Sequence, residues 1–474
     1  MGSILRATLI LGSGSAISLV AGFLSNKAYA VWVGPEGVGL LGLLQGLLAI
    51  AAIVAGMGLS AGLVRVGAAR AAQHDAAFMV ALRQAAWQIY GYFSGAVALL
   101  VLLFSQPIAH LMLAKSPVYA VLWVAVALLM SLAAGVQIGL LNAYHRVGIL
   151  ARITAISSVA GAIWGIVLVW VWREAALPFV VLGTPLVQIV SSTWFVRGLN
   201  LPDERPDLEQ VRVARGELLH FGLPFTGSQL VGSAVQLGMP FLVLHQLGQE
   251  NVGYYRAAVL FSTAYIGFLL NALGQDFYPR LSTLKDQPTA FREAIHTQQR
   301  FVLLLGSPLV AISLAVAPII VSVLFSPQFR PTVAILQWQL LGDLLRFVSW
   351  TLSYAVLAGL SSRFYFITES LGGGMLLGFS LWGMRQFGLQ GLGIGWLATY
   401  TGYLVVVAWL LVSKGIWTPV WSNVGLLGLG LSIGVVVRLV SEPWSLLFAI
   451  IWGLVCAVWL SRQGWRARAK GAQQ

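Results

Sequence analysis

Charge is what this sequence has least of. Asp, Glu, Lys and Arg make up 9% of its 474 residues, against about 25% in ordinary soluble domains. With 58% hydrophobic residues, the chain has too few charges to wrap an apolar core in a hydrated shell, so lipid must be part of its solvent. Acid is the scarcer sign, 15 Asp and Glu against 28 Lys and Arg, for a formal charge of +13. There is one cysteine, Cys456, in an apolar stretch, which excludes a disulfide framework and a thiolate metal site. The six histidines, His74, His110, His145, His220, His245 and His296, are scattered, and none has zinc-ligand spacing. Gly372-Gly373-Gly374 is followed by no Gly-Lys-Ser or Gly-Lys-Thr, so it is no phosphate loop and no ATP site is expected. It reads as close helix packing. No cofactor and no metal is implied. No polar segment interleaves basic residues with aromatics, so the positive charge does not point to nucleic acid.

What the sequence has in quantity is apolar runs of helix length. They lack the polar–apolar alternation over about 10 residues that a membrane β-barrel needs. Crossing a bilayer takes about 20 apolar residues, and fourteen such spans are expected: 8–33, 38–64, 86–110, 118–143, 153–172, 176–196, 221–246, 252–278, 301–325, 332–359, 364–384, 389–412, 422–439 and 444–461. Arg6, the apolar stretch after it and Ala28-Tyr29-Ala30 imitate a signal peptide. The stretch is too long for one and Lys27 abuts the supposed cleavage site, so it is expected to remain as the first span.

Basic residues cluster in cytoplasmic loops of membrane proteins. One alternate set of loops and ends holds 20 of the 28 basic residues, among them Arg65, Arg70, Arg83, Lys285, Arg300, Arg466 and Lys470. The opposite set holds Lys115, Arg173, Arg330, Arg385 and Arg438. This predicts that both termini are cytoplasmic. The polar segment near 197–219, with Pro202-Asp203-Glu204-Arg205-Pro206-Asp207, is the natural boundary between two six-helix halves. A second, near 279–300, reads as an amphipathic interfacial helix through Phe291, Ile295 and Phe301.

The halves carry a repeat. Gly34-Pro35-Glu36-Gly37-Val38-Gly39-Leu40-Leu41 has a related string, Gly248-Gln249-Glu250-Asn251-Val252-Gly253-Tyr254-Tyr255, 214 residues later. Ala77-Phe78 with Ala81 resembles Ala290-Phe291 with Ala294. Six helices separate the matches, so the repeats run parallel about an axis along the membrane normal. The expected organisation is 1–219, a six-helix bundle; 220–413, a second; and 414–474, two additional helices with a basic tail.

Intramembrane charges are functional-site candidates. Lys27 either faces a wet cavity and attracts an anion, with Asn26 and Tyr29 extending its polar face, or pairs with a carboxylate or snorkels. Arg256 near the outer end of the eighth span has the same two readings. Arg346 either contacts an anion or pairs with Asp343 three residues earlier. In the seventh span Thr226, Gln229, Ser233, Gln236 and Pro240 share one helical face, with a weaker counterpart at Ser15, Ser18, Gly22, Asn26 and Tyr29 in the first. These stripes fit either helix–helix hydrogen bonds or the lining of a hydrated cavity. Asp276, Asp343 and Glu369 are the titratable candidates for coupling to protons, sodium or membrane potential. Glu36 and Glu250 read as turn and helix-cap residues. No loop on the basic-poor side is long enough for a catalytic module, which points to a transporter rather than an enzyme.

The opening Ser3-Ile4-Leu5-Arg6-Ala7-Thr8, then Gly22-Phe23 through Asn26-Lys27, then Gly34-Pro35-Glu36-Gly37-Val38-Gly39 resembles the O-antigen and enterobacterial-common-antigen flippases of the multidrug/oligosaccharidyl-lipid/polysaccharide exporter superfamily. Gly253-Tyr254-Tyr255 and Tyr278-Pro279-Arg280-Leu281-Ser282 extend the resemblance into the second half, over roughly the first twelve spans. The last two depart from twelve-span members. The resemblance implies an all-α polytopic membrane protein with its halves in a V-shaped, alternating-access arrangement. It implies a multi-pass bacterial inner-membrane flippase that moves a polyprenyl-diphosphate-linked oligosaccharide, such as a lipopolysaccharide O-antigen repeat unit, from the cytoplasmic to the periplasmic leaflet. Partners would be that lipid, the surrounding membrane lipids and polysaccharide polymerase or ligase machinery. Lys27, then Arg346, then Arg256 would contact the diphosphate, and Asn26, Gln229, Ser233 and Gln236 the glycan. A peptidoglycan-precursor flippase and a multidrug or metabolite cation antiporter are the alternatives within the superfamily.

Overall fold

The structure, a computed structural model, describes residues 2–73, 75–112, 118–198, 206–441 and 443–471. Within these it leaves out the side chains of 2–13, 15, 72, 112, 147, 224, 228, 231, 232, 264, 265, 268, 269, 271–273, 275, 276, 362 and 462–471. Among the described residues all regular structure is helical. The helices are α1 (Gly2–Trp32), α2 (Gly34–Gly56), α3 (Leu59–Ala72), α4 (Ala76–Leu103), α5 (Ser105–Met112), α6 (Tyr119–Ala143), α7 (Val147–Trp172), α8 (Leu177–Arg197) and α9 (Leu208–Leu247). They continue as α10 (Gln249–Thr283), α11 (Pro288–Ala315), α12 (Ala317–Leu324), α13 (Thr332–Gly359), α14 (Ser362–Phe387), α15 (Gln390–Ser413), α16 (Trp421–Leu439) and α17 (Trp444–Gly471).

Local chemistry places the ends. Asp75 caps α4 by accepting from Phe78 N at 3.0 Å, and Asp207 caps α9 by accepting from Glu209 N at 3.1 Å. Pro35, Pro178, Pro288 and Pro318 sit in first turns, where a missing N–H costs nothing. Glu36 and Glu250 lie in the first turns of α2 and α10, at the positive end of each helix dipole. Among the described residues nine segments are long and apolar enough to cross a membrane, and one of them, Gly148–Arg197, holds both α7 and α8. Helices α1, α9, α10 and α14 also exceed the roughly 20 residues that a crossing needs. The chain is a multi-pass, all-α membrane protein.

Three elements differ from the sequence expectation. The second span is broken: Met57 and Gly58 both take the left-handed backbone, φ 46° and 62°, which ends α2 and starts α3. The third span is split at Phe104 into α4 and α5. The segment near 279–300 forms no separate interfacial helix. From Pro288 it is the first part of α11, and Phe291 and Ile295 are buried in a core cluster with Leu352, Val356 and Leu411. The amphipathic pattern was real, but its apolar face packs on protein instead of lipid.

The chain forms two compact units, residues 1–253 and 254–474. In the first, α1 packs on α7, α6 on α8, and α9 on α2, α3 and α4. Close packing of α9 onto the first six spans carries this unit past residue 219. Here the repeated strings meet backbone to backbone. A Cβ on Gly39 would lie 3.0 Å from Gly253 N, and Gln249 Nε2 donates to Glu36 O at 3.3 Å. In the second, α13 packs on α15 and α15 on α14, while α16 and α17 pack on α11. Polar pins fix that last pair: Arg300 donates to Ser422 and Asn423, Asn423 to His296 O, and Trp452 Nε1 to Ser307 Oγ at 3.0 Å.

Candidate functional site

In the second unit Asp343 and Arg346 on α13 and Glu369 on α14 face aromatic side chains of α15. Asp343 is fully buried, and both of its oxygens accept hydrogen bonds. Ser262 of α10 donates to Oδ2 at 2.8 Å and Trp396 of α15 donates to Oδ1 at 3.0 Å. Arg346, one turn along α13, brings a guanidinium nitrogen 3.9 Å from Oδ1. That is an ion pair at long range without a tight hydrogen bond. The guanidinium also lies 5.6 Å from the ring centres of Trp396 and Tyr400, within cation–π reach. Arg346 keeps 24% of its side-chain surface accessible while Asp343 keeps none. The carboxylate therefore acts as a buried tether, and the cation is the part a ligand can reach.

A second carboxylate lies on the neighbouring helix. Glu369 Oε1 accepts from Tyr403 Oη at 2.5 Å and from Ser353 Oγ at 2.8 Å. Tyr403 and Ser353 are buried, whereas Glu369 is exposed. The pattern is one anchored oxygen on an otherwise accessible carboxylate. Arg256, on α10, is half-buried. The side chain of Asp276 lies outside the described residues.

In the first unit Lys27 is half-buried on α1. Asn26 donates to Gly22 O of its own helix at 2.8 Å, and Tyr29 is buried with its hydroxyl against Gly165 of α7. Ser158 of α7 donates to Ser18 at 2.8 Å, so part of the first polar stripe is interhelical bonding. On α9 Thr226 is buried and donates to Gly222 O at 2.9 Å, while Gln229 and Gln236 are exposed and Ser233 is half-buried. Tyr90, Thr226 and Gln229 line a cavity of about 190 Å³ beside the α2–α3 break.

The sequence shows the charges and the Asp343–Arg346 spacing, but not the hydrogen-bond donors of the two carboxylates. Ser262 and Trp396 stand 81 and 53 residues from Asp343, and Tyr403 stands 34 from Glu369. A serine or a tryptophan in an apolar helix carries no mark of what it will face.

Residues 30–334 match a protein family described as polysaccharide biosynthesis protein. The chain belongs to that family. The matched stretch includes Gln229, Ser233, Gln236, Arg256 and Asp276; Lys27 precedes it, and Asp343, Arg346 and Glu369 follow it. Among curated relatives, the lipid III flippase of Escherichia coli (strain K12) is 24% identical over 413 residues, 85% of this chain and 96% of that protein. The Shigella flexneri lipid III flippase matches to the same extent. Among solved structures, the lipid II flippase MurJ in an inward closed conformation superposes with TM-score 0.74 at 14% identity, covering 96% of this chain and 99% of its own. An inward-facing multidrug resistance MATE transporter of the MOP superfamily gives TM-score 0.61 at 15% identity, covering 81% and 92%. At these identities the two structures establish a shared fold.

Proposed function

We propose that this chain is a flippase for a polyprenyl-diphosphate-linked oligosaccharide, a surface-polysaccharide repeat unit such as that of O-antigen. It carries the lipid from the cytoplasmic to the periplasmic leaflet of the bacterial inner membrane by alternating access. The observation that carries this reading is the 413-residue match to the lipid III flippase, spanning 96% of that relative, in a chain of the polysaccharide biosynthesis family.

The chemistry of the cargo suits the residues. A diphosphate leaving water needs cationic donors in a low-dielectric site. Arg346, tethered by Asp343 and partly accessible, meets that need, and Lys27 and Arg256 are the further candidates. The glycan needs hydrogen-bonding walls, for which Asn26, Gln229, Ser233 and Gln236 are the candidates. The prenyl tail stays in lipid throughout. No step of the proposed transport makes or breaks a covalent bond, so the protein is a carrier and not an enzyme. Of the coupling candidates Glu369 is favoured, because Asp343 is closed off and satisfied by two donors. Both termini face the cytoplasm, and the polymerase or ligase that consumes the flipped lipid is the expected partner.

The test is flipping of a fluorescent polyprenyl-diphosphate oligosaccharide in proteoliposomes. Wild type flips it, Lys27→Ala and Arg346→Ala lose most of the rate, and Lys27→Arg retains part. A wild-type protein that ignores the lipid and moves organic cations overturns the reading. A Lys27→Ala protein with full activity removes Lys27 from the site while leaving the function standing. A peptidoglycan-precursor flippase is the second reading. It is favoured by the superposition on MurJ, which covers 96% of this chain. Lipid II in the same assay separates the two.

A further inference from the structure

The break in the second span directly follows Gly34–Gly56, a stretch long and apolar enough to cross a membrane by itself. Met57 and Gly58 are both left-handed, and no capping hydrogen bond closes α2 at Met57. The last four carbonyls of a helix have no donor inside it. Backbone groups freed by such a break need a protein, water or ligand partner. Here the cavity of about 190 Å³ runs along the break, from Ala52 to Ala61. That volume is far above the roughly 15 Å³ that one water needs, and it has room for a sugar ring.

The walls specify the occupant. Among the described residues none of the lining side chains is charged. The negative end of the α2 dipole and the positive end of the α3 dipole both border the cavity, so they offset one another, and no formal cation is there to hold a phosphate. The lack of any acid, together with largely apolar walls, disfavours a metal cation. The groups on offer are of both kinds: the α2 carbonyls and Thr226 Oγ1, whose own proton goes to Gly222 O, accept, the first N–H groups of α3 donate, and the Ser60 hydroxyl can do either. Tyr90 gives its hydroxyl proton to Leu129 O at 3.1 Å, so its ring serves as wall, as does Phe225. Gln229 supplies both a donor and an acceptor. A ligand that satisfies this set brings several hydroxyl donors, no net charge and an apolar C–H face for the aromatic rings.

We propose that the cavity at the α2–α3 break is a subsite for one neutral sugar ring, hexose or N-acetylhexosamine, of the transported glycan. The assignment of that sugar to a lipid-linked cargo rests on the flippase reading. The subsite discriminates against uronic acids, whose carboxylate would leave water for walls that carry no cation.

Native mass spectrometry of the purified full-length protein in detergent tests this with three lipids: polyprenyl diphosphate alone, the same lipid bearing a neutral N-acetylhexosamine, and the same lipid bearing a uronic acid. Two variants accompany wild type. Gln229→Leu removes the polar side chain. Gly135→Val fills the cavity from α6, where a Cβ meets nothing within 4 Å, so the fold accepts it. The neutral sugar tightens wild-type binding about ten-fold over the bare lipid, as one or two net hydrogen bonds would. The uronic acid gives no such gain. Both variants lose the gain and bind the bare lipid like wild type, which also reports that they are folded. Retention of the gain in Gly135→Val, or an equal gain from the uronic acid, overturns the proposal. If no polyprenyl diphosphate binds at all, the flippase reading fails by itself. The cavity is then judged by saturation-transfer NMR with a free neutral disaccharide: a signal abolished by Gly135→Val sustains it, and no signal in wild type ends it.

Discussion

Asp343 accepts from Ser262 on α10 and Trp396 on α15 while lying on α13, so one carboxylate ties three helices together. Truncating it strands two donors and a guanidinium. Asp343→Ala should cost about 3–5 kcal/mol, the range for removing one partner of a buried pair, and lower the unfolding temperature in detergent well below wild type. Ser262→Ala removes one of several bonds and should cost about 1–2 kcal/mol; equal losses in the two variants would contradict the tether. Arg346→Lys separates charge from shape. Lysine keeps the positive charge but not the planar group lying 5.6 Å from Trp396 and Tyr400. We expect near-wild-type melting with a several-fold slower flipping rate, and a rate equal to wild type would show that charge alone matters. The sequence exposed Asp343 and Arg346 because opposite charges three residues apart stand out in an apolar helix. It was silent on Trp396 and Ser262, since hydrogen bonding across 53 and 81 residues leaves no local pattern.

At the scale of elements, the broken second span is where helix propensity yields to tertiary contact. Gly56-Met57-Gly58 is a breaker signal, yet its apolar flanks read as one continuous crossing. What requires the break is α9: a Cβ on Gly58 would fall 2.6 Å from Gly222 O, and a Cβ on Gly222 would run into Met57 O. Left-handed backbone costs a non-glycine residue roughly 1–2 kcal/mol. Met57→Gly should therefore raise the unfolding temperature slightly, whereas Gly222→Ala should lower it and loosen α9. Limited proteolysis near 206–208 checks the loosening, and an Ala variant as resistant as wild type would refute the close approach. The α11 correction has the same cause. Phe291 and Ile295 have the spacing of an interfacial helix, and only Leu352, Val356 and Leu411, contributed from α13 and α15, decide that the face is covered by protein.

For the whole molecule, the distribution of basic residues makes a prediction about orientation that is independent of the cargo. Cys456 is the sole cysteine and is buried, so it should react slowly with polar maleimides. Against that background Asp286→Cys and Gln328→Cys, both at exposed positions, should label from opposite sides of the membrane, Asp286→Cys from the cytoplasm. Labelling of both from one side would break the alternation of spans. The pins between α11 and the α16–α17 pair make the two extra helices part of the second compact unit, something their apolar sequence alone left unassigned.

Membrane residence, helical class and the approximate positions of the spans were determined by the sequence alone, which also supplies the orientation that labelling would test. Each depends on local quantities, the length of an apolar run against the bilayer thickness and the count of basic residues between runs. The tertiary structure alone decided which polar side chains meet, where the second span breaks and which face of α11 is buried. Those outcomes depend on groups tens to hundreds of residues apart, such as Gly58 against Gly222 and Arg300 against Ser422. A buried polar group is stabilised only by the particular partner that packing brings to it.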